Sequence, residues 1–151
     1  MAVNHLMTKP AFANLKFGEW SKILVGQINR RHFAFAVDAD GQVQGFVGWA
    51  LTTAEHAEAW VEGKPLSYEE SLAGECVVFN AWSASTTEVH RFLVGEARKL
   101  VRDKRTMYFR RAYPDGTHRP VRLPVNEFVA GHVDRKARIV STVVDDKLPE
   151  K

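Results

Sequence analysis

The chain has 151 residues, 45% hydrophobic and 26% charged side chains, and a formal net charge of +3, the balance of one globular domain with a core of its own. No apolar run approaches the roughly 20 residues of a membrane-crossing helix, and MAVNHLMTKP lacks the apolar core of a secretory signal, so the expected location is the cytoplasm. A single cysteine, Cys76, excludes an internal disulfide and fits a reducing compartment, and the six histidines are scattered without ligand spacing, so no metal is expected.

In chain order, residues 6–28 read as helix. Leu6, Met7, Phe12, Leu15, Phe17, Trp20, Ile23, Leu24 and Ile28 fall broadly on one face, with Pro10 breaking the run early. In RHFAFAVDADGQVQGFVGWAL, Phe33, Phe35 and Val37 alternate before Asp40-Gly41, and Val43, Gly45, Val47 and Trp49 alternate after it. That is the pattern of a hairpin. Residues 52–62 carry a Thr cap and helix formers, with Gly63 as the stop, and 66–72 read as a short helical turn. Gly74 precedes an apolar strand over 76–82, in which Cys76 reads as a buried structural thiol rather than a nucleophile.

Ser85-Thr86-Thr87-Glu88 is a capping box. The helix behind it carries Val89, Phe92, Leu93, Ala97, Leu100 and Val101 as one stripe. Thr106–Arg110 reads as a strand, Tyr113-Pro114-Asp115-Gly116 as a turn, and Val121, Leu123 and Val125 alternate in a further extended segment. The last twenty residues are polar and basic and then alternate again in RIVSTVV, as an edge strand or a loose tail. No repeat or linker divides the chain. The order predicts a single α/β domain, with a central mixed, mostly antiparallel sheet flanked by helices on both faces. The strand-loop-helix joint at 76–101 is where chemistry is expected, because a helix N-terminus presents free N–H groups and the positive end of its dipole to an anion.

Charge is unevenly spread. Between residues 54 and 75 stand Glu55, Glu58, Glu62, Glu69, Glu70 and Glu75 against Lys64; between 91 and 111 stand Arg91, Arg98, Lys99, Arg102, Lys104, Arg105, Arg110 and Arg111 against Glu96 and Asp103. The basic run is either a solvated helix face or a dock for an acidic partner. No recognised nucleic-acid motif accompanies it, so nucleic acid is not the expected partner.

Several scattered features resemble one family. They are Leu6-Met7 with Lys9-Pro10, Gly48-Trp49-Ala50 at the hairpin end, Leu66 with Gly74-Glu75, the strand ending Phe79-Asn80, and Tyr113-Pro114-Asp115-Gly116-Thr117-His118. Together they resemble landmarks of the RTX toxin-activating lysine acyltransferases, which have an acetyltransferase-like (GNAT-like) fold. The resemblance implies transfer of a fatty acyl chain from acyl carrier protein to a lysine side-chain amine of a partner polypeptide. The donor would be a phosphopantetheine thioester, with no bound cofactor. The family's strand-end Asp falls on Asn80 and its N-terminal His on Phe12, with His5 the nearest imidazole, so the catalytic candidates are Asn80 and His5.

Asn80 cannot take a proton, but it can orient an amine or water or donate from its NH₂ group. His5 can act as a base, since imidazole titrates near 6.5. His90 could also face the cleft; His32 reads as a surface residue and Glu75 as a turn acid. Trp49 and Trp82 either wall an acyl slot or pack the core. Ser83 opens Ser83-Ala84-Ser85-Thr86-Thr87, which is not the Gly-rich pyrophosphate loop of coenzyme A-dependent relatives. Arg91 and Arg111 are the candidates for the phosphate of the carrier's arm, and the basic run suits an acidic carrier protein. The expected activity is N-acyl transfer to a toxin or a small modified peptide. The alternatives are a catalytically altered binding module and an acetyl-CoA-dependent N-acetyltransferase. The resemblance leaves room for a homodimer, though no stripe in the sequence marks its face.

Overall fold

Pro10 stands at the first position of a helix, where its missing N–H costs nothing, and it cannot extend the helix before it. The N-terminal region therefore forms three helices, α1 (Ala2–Met7), α2 (Pro10–Ala13) and α3 (Phe17–Arg30), rather than one. The computed structural model describes residues 2–14 and 16–126, with the single positions 131 and 135. RIVSTVV lies outside the described residues. α3 stops at Arg31, whose left-handed backbone (φ 57°) turns its N–H onto the carbonyls of Gln27 and Ile28.

β1 (Phe33–Val37) and β2 (Val43–Thr52) form the expected hairpin. Gly41 takes φ 77° at its tip, and the Asp38 carboxylate accepts from the backbone of Asp40 and Gln42 and from the Gln44 amide. α4 (Ala54–Val61) is capped by Thr53, and a 3₁₀ turn spans Glu69–Ser71. β3 (Cys76–Ala84) leads into α5 (Thr87–Val101), and β4 (Thr106–Ala112) and β5 (His118–Pro124) close the described chain. The cap of α5 is Thr86, which accepts from the Val89 N–H, so the helix begins one residue later than the Ser85 box predicts.

The five strands lie in sequence order. β1–β2, β2–β3 and β4–β5 are antiparallel, and β3–β4 is parallel, because α5 carries the chain back across the sheet. This is the mixed, mostly antiparallel sheet flanked by helices that the sequence predicts, and it is compatible with the acetyltransferase-like architecture. One face packs Leu6 against Phe46 and Ala81, and Ala57 and Val61 against Ala50, Cys76 and Val78. The other packs Leu93 and Val101 of α5 against Val47, Val77, Phe79 and Met107. Among the described residues no helix is long and apolar enough to cross a membrane.

The predicted apolar face of the N-terminal region is only partly buried. Leu6 is enclosed, but Met7 and Ile28 are exposed and Phe17 is 87% exposed. A single continuous helix would have put them in one phase. Three separate helices do not share a phase, and α3 turns Ile23, Leu24 and Gln27 inward instead.

Candidate functional site

β2 and β3 pair in regular register except at one place. Gly48 faces Ala81 and Trp49 faces Phe79, so Asn80 has no partner on β2 and is the extra residue of a β-bulge. One extra residue exchanges the faces of every side chain beyond it. Before the bulge, Phe79 packs on the α5 face and Val78 on the α4 face. Beyond it, Ala81 packs with Leu6, and Ser83 meets His5, on the α1–α3 side. Trp82 and Ala84 turn to the α5 side.

On its opposite edge β3 pairs with β4 only from Cys76↔Thr106 to Phe79↔Phe109. β3 runs on to Ala84 and β4 to Ala112, so the two strands part beside the bulge. The Ser85 N–H donates to the Gln44 carbonyl at 2.9 Å. By the alternation of an antiparallel ladder, the pairs 46–83 and 48–81 then exchange backbone bonds across β2–β3, while Trp82 and Ala84 point their N–H and C=O groups away from β2. They point into the split, where β4 no longer receives them.

Two side-chain pairs frame the bulge, the first part-buried and the second buried. Gln27 Nε2 donates to Asn80 Oδ1 at 2.6 Å, and His5 Nε2 and Ser83 Oγ lie 3.0 Å apart. Gln27, His5 and Ser83 are all buried. Gly48 makes room for the first pair: a Cβ there would lie 2.0 Å from Gln27 Nε2. Gln27 escaped the sequence reading. Its signal was an amide one turn beyond Ile23 and Leu24, on the face that meets a strand glycine. His32, expected at the surface, is instead half-buried. Its ring stacks on Trp49 with centroids 6.0 Å apart, and among the described residues its Nδ1 is enclosed without a partner, as are Trp49 Nε1 and Gln27 Oε1. Hydrogen-bonding capacity left over in this way costs about 1–3 kcal/mol per group and marks a place where a polar ligand would be welcome.

Burial pushes the His5 imidazole below its ordinary range; the Lys9 ammonium adds to this and a backbone hydrogen bond at Val43 opposes it. Burial, and then the Arg30 guanidinium, lower His32 in the same direction. Both rings are thus neutral at pH 7, the form that can accept a proton. Trp82 packs edge-on to Phe79 at 5.8 Å and donates from Nε1 to His90 Nδ1 at 3.1 Å.

The cationic candidates stand apart from the bulge. Arg91 lies a turn into α5 beside Glu88. Arg111 is exposed beyond the split, 5.4 Å above the Tyr113 ring. The basic run is not one surface. Arg110 covers the Trp60 ring and bonds its carbonyl, and Lys104 reaches the Gly74 carbonyl at 3.3 Å. Glu75 is indeed a turn acid, accepting from the Ala54 N–H. The seam between α1–α3 and the sheet, walled by Leu6, Phe12, Leu24, Phe46 and Ala81, is too tight for a water molecule. Compared with known proteins, the chain matches no family model and no curated protein.

Proposed function

We propose that this chain transfers a fatty acyl group from the phosphopantetheine thioester of acyl carrier protein to a lysine or lysine-like side-chain amine of a protein or peptide. The observation that carries the reading is the parting of β3 from β4 beyond Phe79 and Phe109, beside the bulge at Asn80. A linear thioester arm can lie between parted strands as a missing strand would, its amides meeting the backbone groups that Trp82 and Ala84 turn away from β2. The same N–H groups suit the oxyanion that forms when a thioester carbonyl is attacked.

An amine with a reference pKa near 10.4 is protonated at neutral pH and must lose a proton before it attacks. His5 is the base, and its lowered pKa keeps it neutral for that purpose. Gln27 fixes the Asn80 carboxamide, which positions the amine. Apart from Gln27, the walls of the seam are apolar and match an acyl tail. Arg91 and Arg111 are the dock for the acidic carrier.

A second reading, a binding module that has kept the fold and lost the chemistry, is favoured by the tightness of that seam. An acetyl-CoA-dependent acetyltransferase gains nothing from Ser83–Thr87, where the Thr86 hydroxyl already occupies the Val89 N–H of α5. The test is to incubate the full chain with loaded acyl carrier protein and lysine-containing peptides and read intact mass. The expected result is one acyl mass on an acceptor peptide. Non-covalent acyl binding without any peptide gaining mass would favour the binding module and overturn the enzyme.

A further inference from the structure

We propose that Ser83 is a nucleophile that carries the acyl group as an ester between the thioester and the amine, with His5 as its base. This rests on the acyl-transfer reading above and adds a covalent step to it. Ser83 Oγ and His5 Nε2 are 3.0 Å apart and both residues are buried. That is hydrogen-bond reach for a nucleophile and the base that activates it. The two stand 78 positions apart in the chain, one on α1 and one on β3, and meet only because the bulge at Asn80 turns Ser83 to the α1 face.

The surroundings suit such a pair. The Nε2 of a neutral imidazole can accept the serine proton only if Nδ1 carries the ring hydrogen. The Val43 backbone favours the charged ring, the form that His5 takes once it holds the serine proton. The residues flanking Ser83, Trp82 and Ala84, direct their N–H groups into the split, where an oxyanion would need donors.

The step balances without a further reagent. Ser83 Oγ attacks the thioester carbonyl and its proton passes to His5 Nε2. The C–S bond breaks and the departing thiolate takes that proton, leaving a free carrier thiol and an acyl ester on Ser83. His5 takes the first proton of the acceptor ammonium, and the free amine attacks the ester. His5 returns that proton to Ser83 Oγ as the C–O bond breaks, and the nitrogen releases its second proton to solvent as the amide forms.

Two probes read the serine without an acceptor. The full chain is mixed with acyl carrier protein thioester, quenched in acid and mapped by mass; in parallel it is treated with an alkyl fluorophosphonate. The expected result is one acyl, or one phosphonyl, on the peptide containing Ser83. Labelling should be lost in Ser83→Ala and slowed about 100-fold in His5→Gln. Ser83→Cys, which keeps the size of the side chain, should still take the acyl group. A wild-type chain that acylates peptides yet is labelled at Ser83 by neither probe overturns the covalent step and leaves acyl transfer standing. Labelled Ser83 with no peptide acylated supports the nucleophile and overturns the lysine acceptor. No label from either probe and no transfer overturns both, and the contact is then a clasp that pins α1 to the sheet.

Discussion

Asn80 and Gln27 meet through their carboxamides, and that bond decides what substitution at position 80 does. Asn80→Asp keeps an oxygen for Gln27 Nε2, so the fold is expected to persist and acyl transfer to be at least as fast. Asn80→Ala removes the acceptor and strands a buried donor. It is expected to lower stability by about 1–3 kcal/mol and transfer by about 100-fold, read by urea melts and by peptide mass gain. An inactive but folded Asp variant would show that the amide itself is required.

The two lowered imidazoles make a separate prediction about pH. In the unfolded chain each titrates near 6.5, while in the fold His5 and His32 resist the proton. Above that pH both states are neutral and nothing is gained or lost. As pH falls through 6.5 the unfolded chain takes up protons that the fold refuses, and stability drops by up to about 1.4 kcal/mol per pH unit for each ring. Urea midpoints should fall between about pH 7 and pH 5 and fall less steeply in His5→Gln. Equal slopes would mean that His5 titrates freely in the fold.

Among the elements, β2 and β3 do the positioning, and α3 depends on them. Gly48 is there because the Gln27 amide occupies the space of its missing side chain. Gly48→Ala must displace Gln27 and break its bond to Asn80, at an expected cost of about 1–3 kcal/mol. Adding Gln27→Ala should recover part of that loss, since the two substitutions share one contact. Strictly additive losses in the double-mutant cycle would show that the glycine serves the strand rather than the amide. The bulge was not legible in CVVFNAWSAS, whose apolar run reads as an uninterrupted strand. A bulge is set by how two strands register against each other, and no local pattern records that.

At the scale of the whole molecule, the α1–α3 arm covers the seam through which an acyl tail would reach Asn80 and Ser83, and the seam is shut. The outer side of α3 is apolar where Phe17, Val25 and Ile28 are exposed, so part of its apolar surface gains nothing from the core. The arm is therefore the part that must yield. Amide hydrogen exchange is expected to be faster over residues 2–30 than over β3, with exchange in the arm slowed further by acylated carrier protein. Equal protection of arm and β3 would count against loading by this route.

The sequence by itself determined the order of elements from β1 onward, the hairpin at Asp40-Gly41, the α5 cap to within a residue and the class of the sheet. These depend on short-range periodicity, turn chemistry and capping, which neighbouring residues settle between them. Asn80, His5, Trp49, Trp82 and Ser83 could be picked out as candidates, but not their partnerships. Only the tertiary structure decided that Asn80 bulges out of register, which strand parts from β3 beside it, and that Gln27 and His5 arrive from the N-terminal helices to meet Asn80 and Ser83. Those facts join residues 53 and 78 positions apart. What fixes them is the face each strand buries against which helix, a balance of packing over the whole sheet that no window of sequence contains.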